Sequence, residues 1–239
     1  MTADKLALGR HLAERGIPTP ACRPYVEGEE GNGLGFPLVW KPRHGAGSQA
    51  TFLVDSAAEL LACAAAARAE GYVGEAVIQP FVPGTPASVA FLVGPRQRLA
   101  LLPAEQHLTA DGRFRYRGGA LPLAPHLAER AVRLGERAVD AGQGLQGYVG
   151  VDVVLGDAPD ASGDHVIEIN PRLTTSYVGL RALATGNLAE ALFAVVEGHE
   201  TPAMTWRPGR VHFGADGTVF QRGRSPSEGE QRRHGNRDR

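Results

Sequence analysis

Two runs hold the side chains best suited to chemistry, GYVGVDVVL (Gly147–Leu155) and VIEINPRLTTS (Val166–Ser176). Side chains alternate faces along a strand, so Tyr148, Gly150, Asp152 and Val154 share one face. Val149, Val151, Val153 and Leu155 share the apolar one. The same rule groups Glu168 with Asn170, opposite Ile167 and Ile169. The intervening GDAPDASGD is polar and rich in turn formers, and reads as a hairpin connection. Antiparallel pairing then brings Asp152, Glu168 and Asn170 onto one sheet face. Two carboxylates and an amide oxygen form a hard-oxygen cluster of the kind Mg²⁺ takes when phosphates supply its other ligands. Arg172 adds a planar cation suited to phosphate or carboxylate. A solvated sheet face also alternates polar residues. Such a face usually mixes Lys, Thr, Arg and Glu, whereas here each polar position is an oxygen donor until Pro171-Arg172.

The elements that must position this cluster lie on both sides of it. Asp4–Arg15 has helical spacing and places Lys5 in the first turn, with Gly16 and Pro18 as stops. Phe36–Lys41 is a short buried strand ending in Lys41. The glycine-rich loop Arg43–Ser48 follows, with Gly45, Gly47 and Ser48 in it, and then the strand Thr51–Val54. A lysine beside exposed backbone N–H groups can cradle phosphate; the same loop can also be a plain hairpin turn. It is not a Walker A loop, since GxxxxGK[ST] occurs nowhere in the chain. The strand Ala76–Val82 breaks at Pro80. Unpaired backbone groups there, with Phe81 covering a ring, can read an adenine edge, or the break is a simple edge-strand exit.

Ser88–Val93 and Arg98–Leu102 read as a further hairpin. In GRFRYRGGALPL (Gly112–Leu123), Arg113, Arg115 and Arg117 alternate with Phe114 and Tyr116. That pattern suits either an anion-binding strand or an edge strand protected by charge. Helices are expected over Asp55–Glu70, Pro125–Ala141 and Leu188–Gly198, and a hairpin over Arg210–Gly223 around Asp216-Gly217. The tail from Arg224 to Arg239 has almost no apolar residue and is expected to be disordered.

The 239 residues suffice for one large domain or two small ones, and a net charge of -1 gives no sign of a specific nucleic-acid partner. Two cysteines, Cys22 and Cys63, in unrelated contexts make no disulfide framework or CxxC site. No apolar run is long enough to span a bilayer. A soluble cytoplasmic protein without a membrane partner is the expectation.

Taken in order, ADK, VWKP with its glycine-rich loop, QPFVPG, the strand from Ser88, GYVGVDVVL and EINPR resemble the ATP-grasp superfamily from residue 4 to about 223. The resemblance implies an α+β fold, with two subdomains whose antiparallel sheets grip ATP between them. Residues 36–83 would form a small lid, and 1–35 with 84–223 the larger, metal-binding part. It implies ATP and Mg²⁺ (or Mn²⁺) as cofactors. Lys5, Lys41 and the 43–48 loop would contact phosphates, with Gln79, Pro80, Phe81 and Val82 as the adenine hinge. Asp152, Glu168 and Asn170 would hold the metal, and Arg172 and Lys41 would act on the transferring phosphoryl group. Arg115, Arg117, Thr174, Thr175 and Ser176 are the candidates for substrate contacts.

The implied reaction joins a small-molecule carboxylate to an amine through an acyl phosphate. Family members usually carry an N-terminal α/β domain before the first helix. Here that domain is expected to be missing, encoded elsewhere or lost to a misplaced start codon, so a homodimer, or a partner that supplies the domain, is expected. EINPRLTTSYVGL and FRYRGGALP look most like the tyramine–glutamate ligase branch, which serves methanofuran-type cofactor synthesis.

Overall fold

The computed structural model describes residues 1–29, 31, 33–45, 47–201 and 203–221. The expected tail, 224–239, and Ala46 of the glycine-rich loop lie outside them.

Helix α1 (Lys5–Glu14) starts where Asp4 accepts from the backbone N–H groups of Leu6 and Ala7, satisfying donors that a helix N-terminus leaves open. It stops at Gly16, whose φ of 66° favours glycine. Its buried Leu8 and Leu12 join the core of the larger half.

A four-stranded antiparallel sheet, order β1-β4-β2-β3, forms the smaller half. Its strands are β1 (Arg23–Pro24), β2 (Leu38–Pro42), β3 (Phe52–Val54) and β4 (Ala76–Pro80). Helix α2 (Ala57–Ala69) covers it through Leu60, Cys63 and Ala67, against Leu38, Trp40, Val54 and Ile78. The alanines let the helix lie close to the strands, and Tyr25, Phe52 and Tyr72 meet the buried Trp40 ring edge-on. Because β1 pairs with β4, this sheet draws on residues ahead of the expected boundary at 36.

The larger half is built on an eight-stranded sheet, order β10-β9-β5-β7-β8-β11-β12, with β6 also paired to β5. The strands are β5 (Thr85–Val93), β6 (Arg98–Ala100), β7 (Ala104–Leu108), β8 (Tyr116–Leu121), β9 (Gly147–Leu155), β10 (His165–Asn170), β11 (Val211–Gly214) and β12 (Val219–Gln221). All of these neighbouring strands run antiparallel. Helix α3 (Pro125–Ala141) places Ala131, Leu134 and Ala138 over Val149, Val151 and Val153, the apolar face that alternation predicts. Helices α4 (Ser176–Leu183) and α5 (Leu188–Val196) pack a second core with Leu180, Leu183, Leu188 and Val195.

Arg130 of α3 is buried and pairs with buried Asp164, which also accepts from the Gly156 N–H at 3.0 Å. This fastens the β9–β10 turn to the helix, and removing one partner would strand a buried charge.

Candidate active site

The two sheets face each other across a cavity of about 710 Å³. Its floor is the β9–β10 pair. Glu168 stands opposite Asp152, and Asn170 opposite Gly150. The ladder slips between Val166 and Glu168, so Ile167 is an extra residue, a β-bulge. Val166 and Ile169 therefore both enter the core, while Ile167 joins Glu168 and Asn170 on the cavity wall. The face expected from alternation holds for Ile169 and fails for Ile167. The bulge gives the cavity an apolar floor beside its acids.

Asp152 is held by two amides. Gln106 Nε2 donates to Oδ1 at 2.8 Å and Asn170 Nδ2 to Oδ2 at 3.0 Å, while Arg172 donates to Asn170 Oδ1 at 3.1 Å. Burial, followed by the charge of Glu168, pushes the Asp152 carboxyl up to about 7. Lys41 is also buried, and burial lowers its ammonium to about 8 despite the nearby Glu168. Lys5 Nζ lies 3.5 Å from Glu168 Oε1 and donates to the Gly45 carbonyl at 2.8 Å, linking helix, loop and floor.

Lys5, Lys41, Gly45, Gly47, Ser48, Gln79, Pro80, Phe81 and Val82 all line the cavity. So do Asp152, Glu168, Asn170, Arg172, Thr174, Thr175 and Ser176. At the hinge the Phe81 N–H donates to the Pro37 carbonyl, and its ring stacks on Phe114 with centroids 6.0 Å apart. Thr174 and Ser176 share a hydroxyl cluster with Tyr148, and Gly150 leaves the space Thr174 fills: a Cβ there would meet Thr174 Cγ2 at 2.6 Å.

Arg115 and Arg117 require a correction. They are exposed and off the cavity wall, which takes Phe114 and Tyr116 instead. The expected strand from Gly112 is broken because Phe114 adopts φ 50°, a left-handed conformation, and β8 begins only at Tyr116. Arg113 turns to the smaller half. It donates to the Thr51 carbonyl at 3.0 Å, pairs with Glu70 and lies over the Phe52 ring at 4.1 Å, while Leu53 N–H donates to the Gly112 carbonyl at 2.7 Å.

The donor set fits a hard divalent cation. It consists of two carboxylates and an amide, and burial together with the Glu168 charge disfavours the ionised form of Asp152 that a cation would stabilise. Among the described residues no three His, Cys, Asp or Glu side chains gather to hold a metal, so such an ion would need phosphate oxygens as well.

Two antiparallel sheets closed on a cavity with this floor and these lysines define an α+β nucleotide-grasping fold. The chain belongs to the ATP-grasp family: the family model of the ATP-grasp domain matches residues 2–176. A tyramine–L-glutamate ligase of Methanocaldococcus jannaschii is 34% identical over 116 residues, covering 48% of this chain and 34% of the relative. The match thus spans about a third of that relative's length. Among solved structures, an ADP complex of purK, an N5-carboxyaminoimidazole ribonucleotide synthetase, aligns with TM-score 0.73 and 15% identity over 88% of this chain and 55% of that one. A putative ATP-grasp superfamily protein from Archaeoglobus fulgidus aligns with TM-score 0.61 and 26% identity, covering 88% and 57%. Among the described residues no helix is long and apolar enough to cross a membrane.

Proposed function

We propose that this chain carries the ATP site of a carboxylate–amine ligase working through an acyl phosphate. The observation that supports this most is the convergence of Lys5, Lys41, Arg172 and the Asp152–Glu168 pair on one cavity. Asp152 and Glu168, with Asn170, would hold Mg²⁺ or Mn²⁺, which when bound neutralises charge on the β- and γ-phosphates.

The protein's own groups do the rest. Lys41, Lys5 and Arg172 are cations placed to stabilise the transferring phosphoryl group. Gly45 and Gly47 bring backbone close to the phosphates. Phe81, Phe114 and Ile167 wall the adenine end. A substrate carboxylate oxygen attacks the γ-phosphorus as the bond to ADP breaks. The amine then attacks the acyl carbon, phosphate leaves, and the amine nitrogen gives up a proton. Closure of the smaller half over the larger keeps water from the acyl phosphate. Thr174, Thr175 and Ser176 are placed beside Arg172 to meet the acid or amine. Glutamate and an aromatic amine are the first pair to try, because the curated relative is a tyramine–L-glutamate ligase. A role in cofactor biosynthesis, a cytoplasmic location and a homodimer or partner protein belong to the same proposal.

The test is ADP release from Mg-ATP with glutamate and a panel of amines including tyramine. ADP matched by amide, and only when acid and amine are both present, is the expected result. ADP formed without an amine would make the protein a phosphotransferase. ATP binding without turnover would make the chain a nucleotide-binding unit dependent on a partner.

A further inference from the structure

Gln106 lines the cavity, and alternation and motif spacing leave its role unassigned. It lies on β7, two strands from Asp152 in the order β9-β5-β7. The β5–β7 ladder pairs Ser88 with Ala104 and Ala87 with Glu105, while Ser88 on its other side stands opposite Asp152. Gln106 follows directly on the last of these paired positions, and its long side chain spans the intervening strand to reach Asp152 Oδ1 at 2.8 Å. Its place depends on the glycine pair of β8. Gly119 is its register partner, and a Cβ at Gly119 would come within 2.3 Å of the Glu105 carbonyl oxygen. β7 lies this close to β8 because that glycine has no side chain.

A carboxylate facing a cation needs two things at once: a fixed plane and an undiminished negative charge. Asp152 has one amide on each oxygen, Gln106 from β7 and Asn170 from β10. An ionised carboxylate only accepts, so the N–H end of each amide must face it. Two donors from opposite sides fix rotation about the Cβ–Cγ bond. A lysine at 106 would pair with Asp152 and compete with any cation, and a glutamate would repel it. A glutamine orients the group and leaves its charge available. Loss of partners of this kind typically costs about 10–100-fold in metal affinity.

We propose that Gln106 is a positioning residue of the nucleotide–metal site, holding Asp152 in the plane from which its carboxylate faces Glu168. This rests on the Mg-ATP reading above.

Calorimetry of ATP binding tests both separately. The affinity for ATP is measured in EDTA and again with excess Mn²⁺, and the ratio of the two constants is the metal-dependent gain. In the wild type the gain is large, and Asp152→Asn removes it. Gln106→Met keeps the length and volume of the side chain without an N–H. It should lower the gain by about 10-fold or more, leaving the EDTA affinity and the thermal midpoint unchanged. Gln106→Asn keeps the amide one methylene too short and should behave alike. A wild-type gain of one would overturn the metal reading itself. A normal gain in the wild type and in both Gln106 variants would overturn this proposal alone. So would failure of both variants to fold, since a group that only orients Asp152 is dispensable for folding.

Discussion

The two walls of the cavity are fastened differently. The floor is a continuous ladder in which Asp152, Asn170, Gln106 and Arg172 hold one another through amide and guanidinium hydrogen bonds, over a core of Val149, Val151, Val153 and Ile169. The smaller half is tied down at two edges by contacts that water reaches. On one edge Arg43 pairs with Asp4 and Glu75. On the other, Arg113 holds Thr51, Glu70 and Phe52. These ion pairs are partly open to water, which weakens them, whereas the floor moves only if the core moves. The carboxylates and Arg172 therefore sit on the firmly held wall, while Lys41 belongs to the more lightly fastened smaller half.

That contrast orders the expected effects. Glu168→Gln and Asp152→Asn, on the floor, should each lower the rate of ADP release by on the order of 10²-fold or more. Their circular dichroism should match the wild type; turnover within a few-fold of normal would remove the floor's special status. Ile167→Ala strips apolar surface from the adenine end and should raise the KM for ATP by about 10-fold, equivalent to about 1.4 kcal/mol, with kcat nearly unchanged. Arg113→Ala cuts the outer fastening and should raise that KM by only about 2- to 5-fold, in line with an exposed pair. A collapse of kcat on this substitution would show that this Arg113 strap belongs to the chemistry.

A further effect, on stability rather than on rate, is a pH dependence. Asp152 titrates near 7 when folded against an ordinary value of 3.8. Between these values the folded state holds a proton that the unfolded chain has lost, so stability of the ligand-free protein falls as pH rises through this window. For Lys41, lowered to about 8, the unfolded chain holds the extra proton, and stability rises with pH above that value. Thermal midpoints should decline from pH 4 to 7 in the wild type, and that decline should flatten in Asp152→Asn.

Much of the floor was legible because strand alternation is a strict local rule, and Asp152, Glu168 and Asn170 obey it. Lys41 was legible at its strand end beside the glycine-rich loop, whereas Lys5 reads as an ordinary surface lysine and enters only through the family resemblance. The strap was not. An alternating Arg–aromatic run looks like a strand, and only the left-handed Phe114 turns Arg113 toward the smaller half. Strand β7 was missed because AEQHL is five residues with no apolar alternation, so Gln106 had no face assigned to it. Helix α4 was hidden inside a run read for its motif, although Leu180 and Leu183 already had helical spacing. The start of the smaller half was placed too late, since a two-residue strand such as β1 leaves no periodic trace.

The bulge at Ile167 also limits how this segment can change over time. One surplus residue shifts the phase of β10, letting its first half feed the core and its second half the cavity. Substitution at 167 alters the cavity locally. Deletion of a single residue between Val166 and Glu168 instead restores an even beat, and one side of the strand must then present the wrong set. A substitution at 167 is therefore a local change, and a deletion there is not.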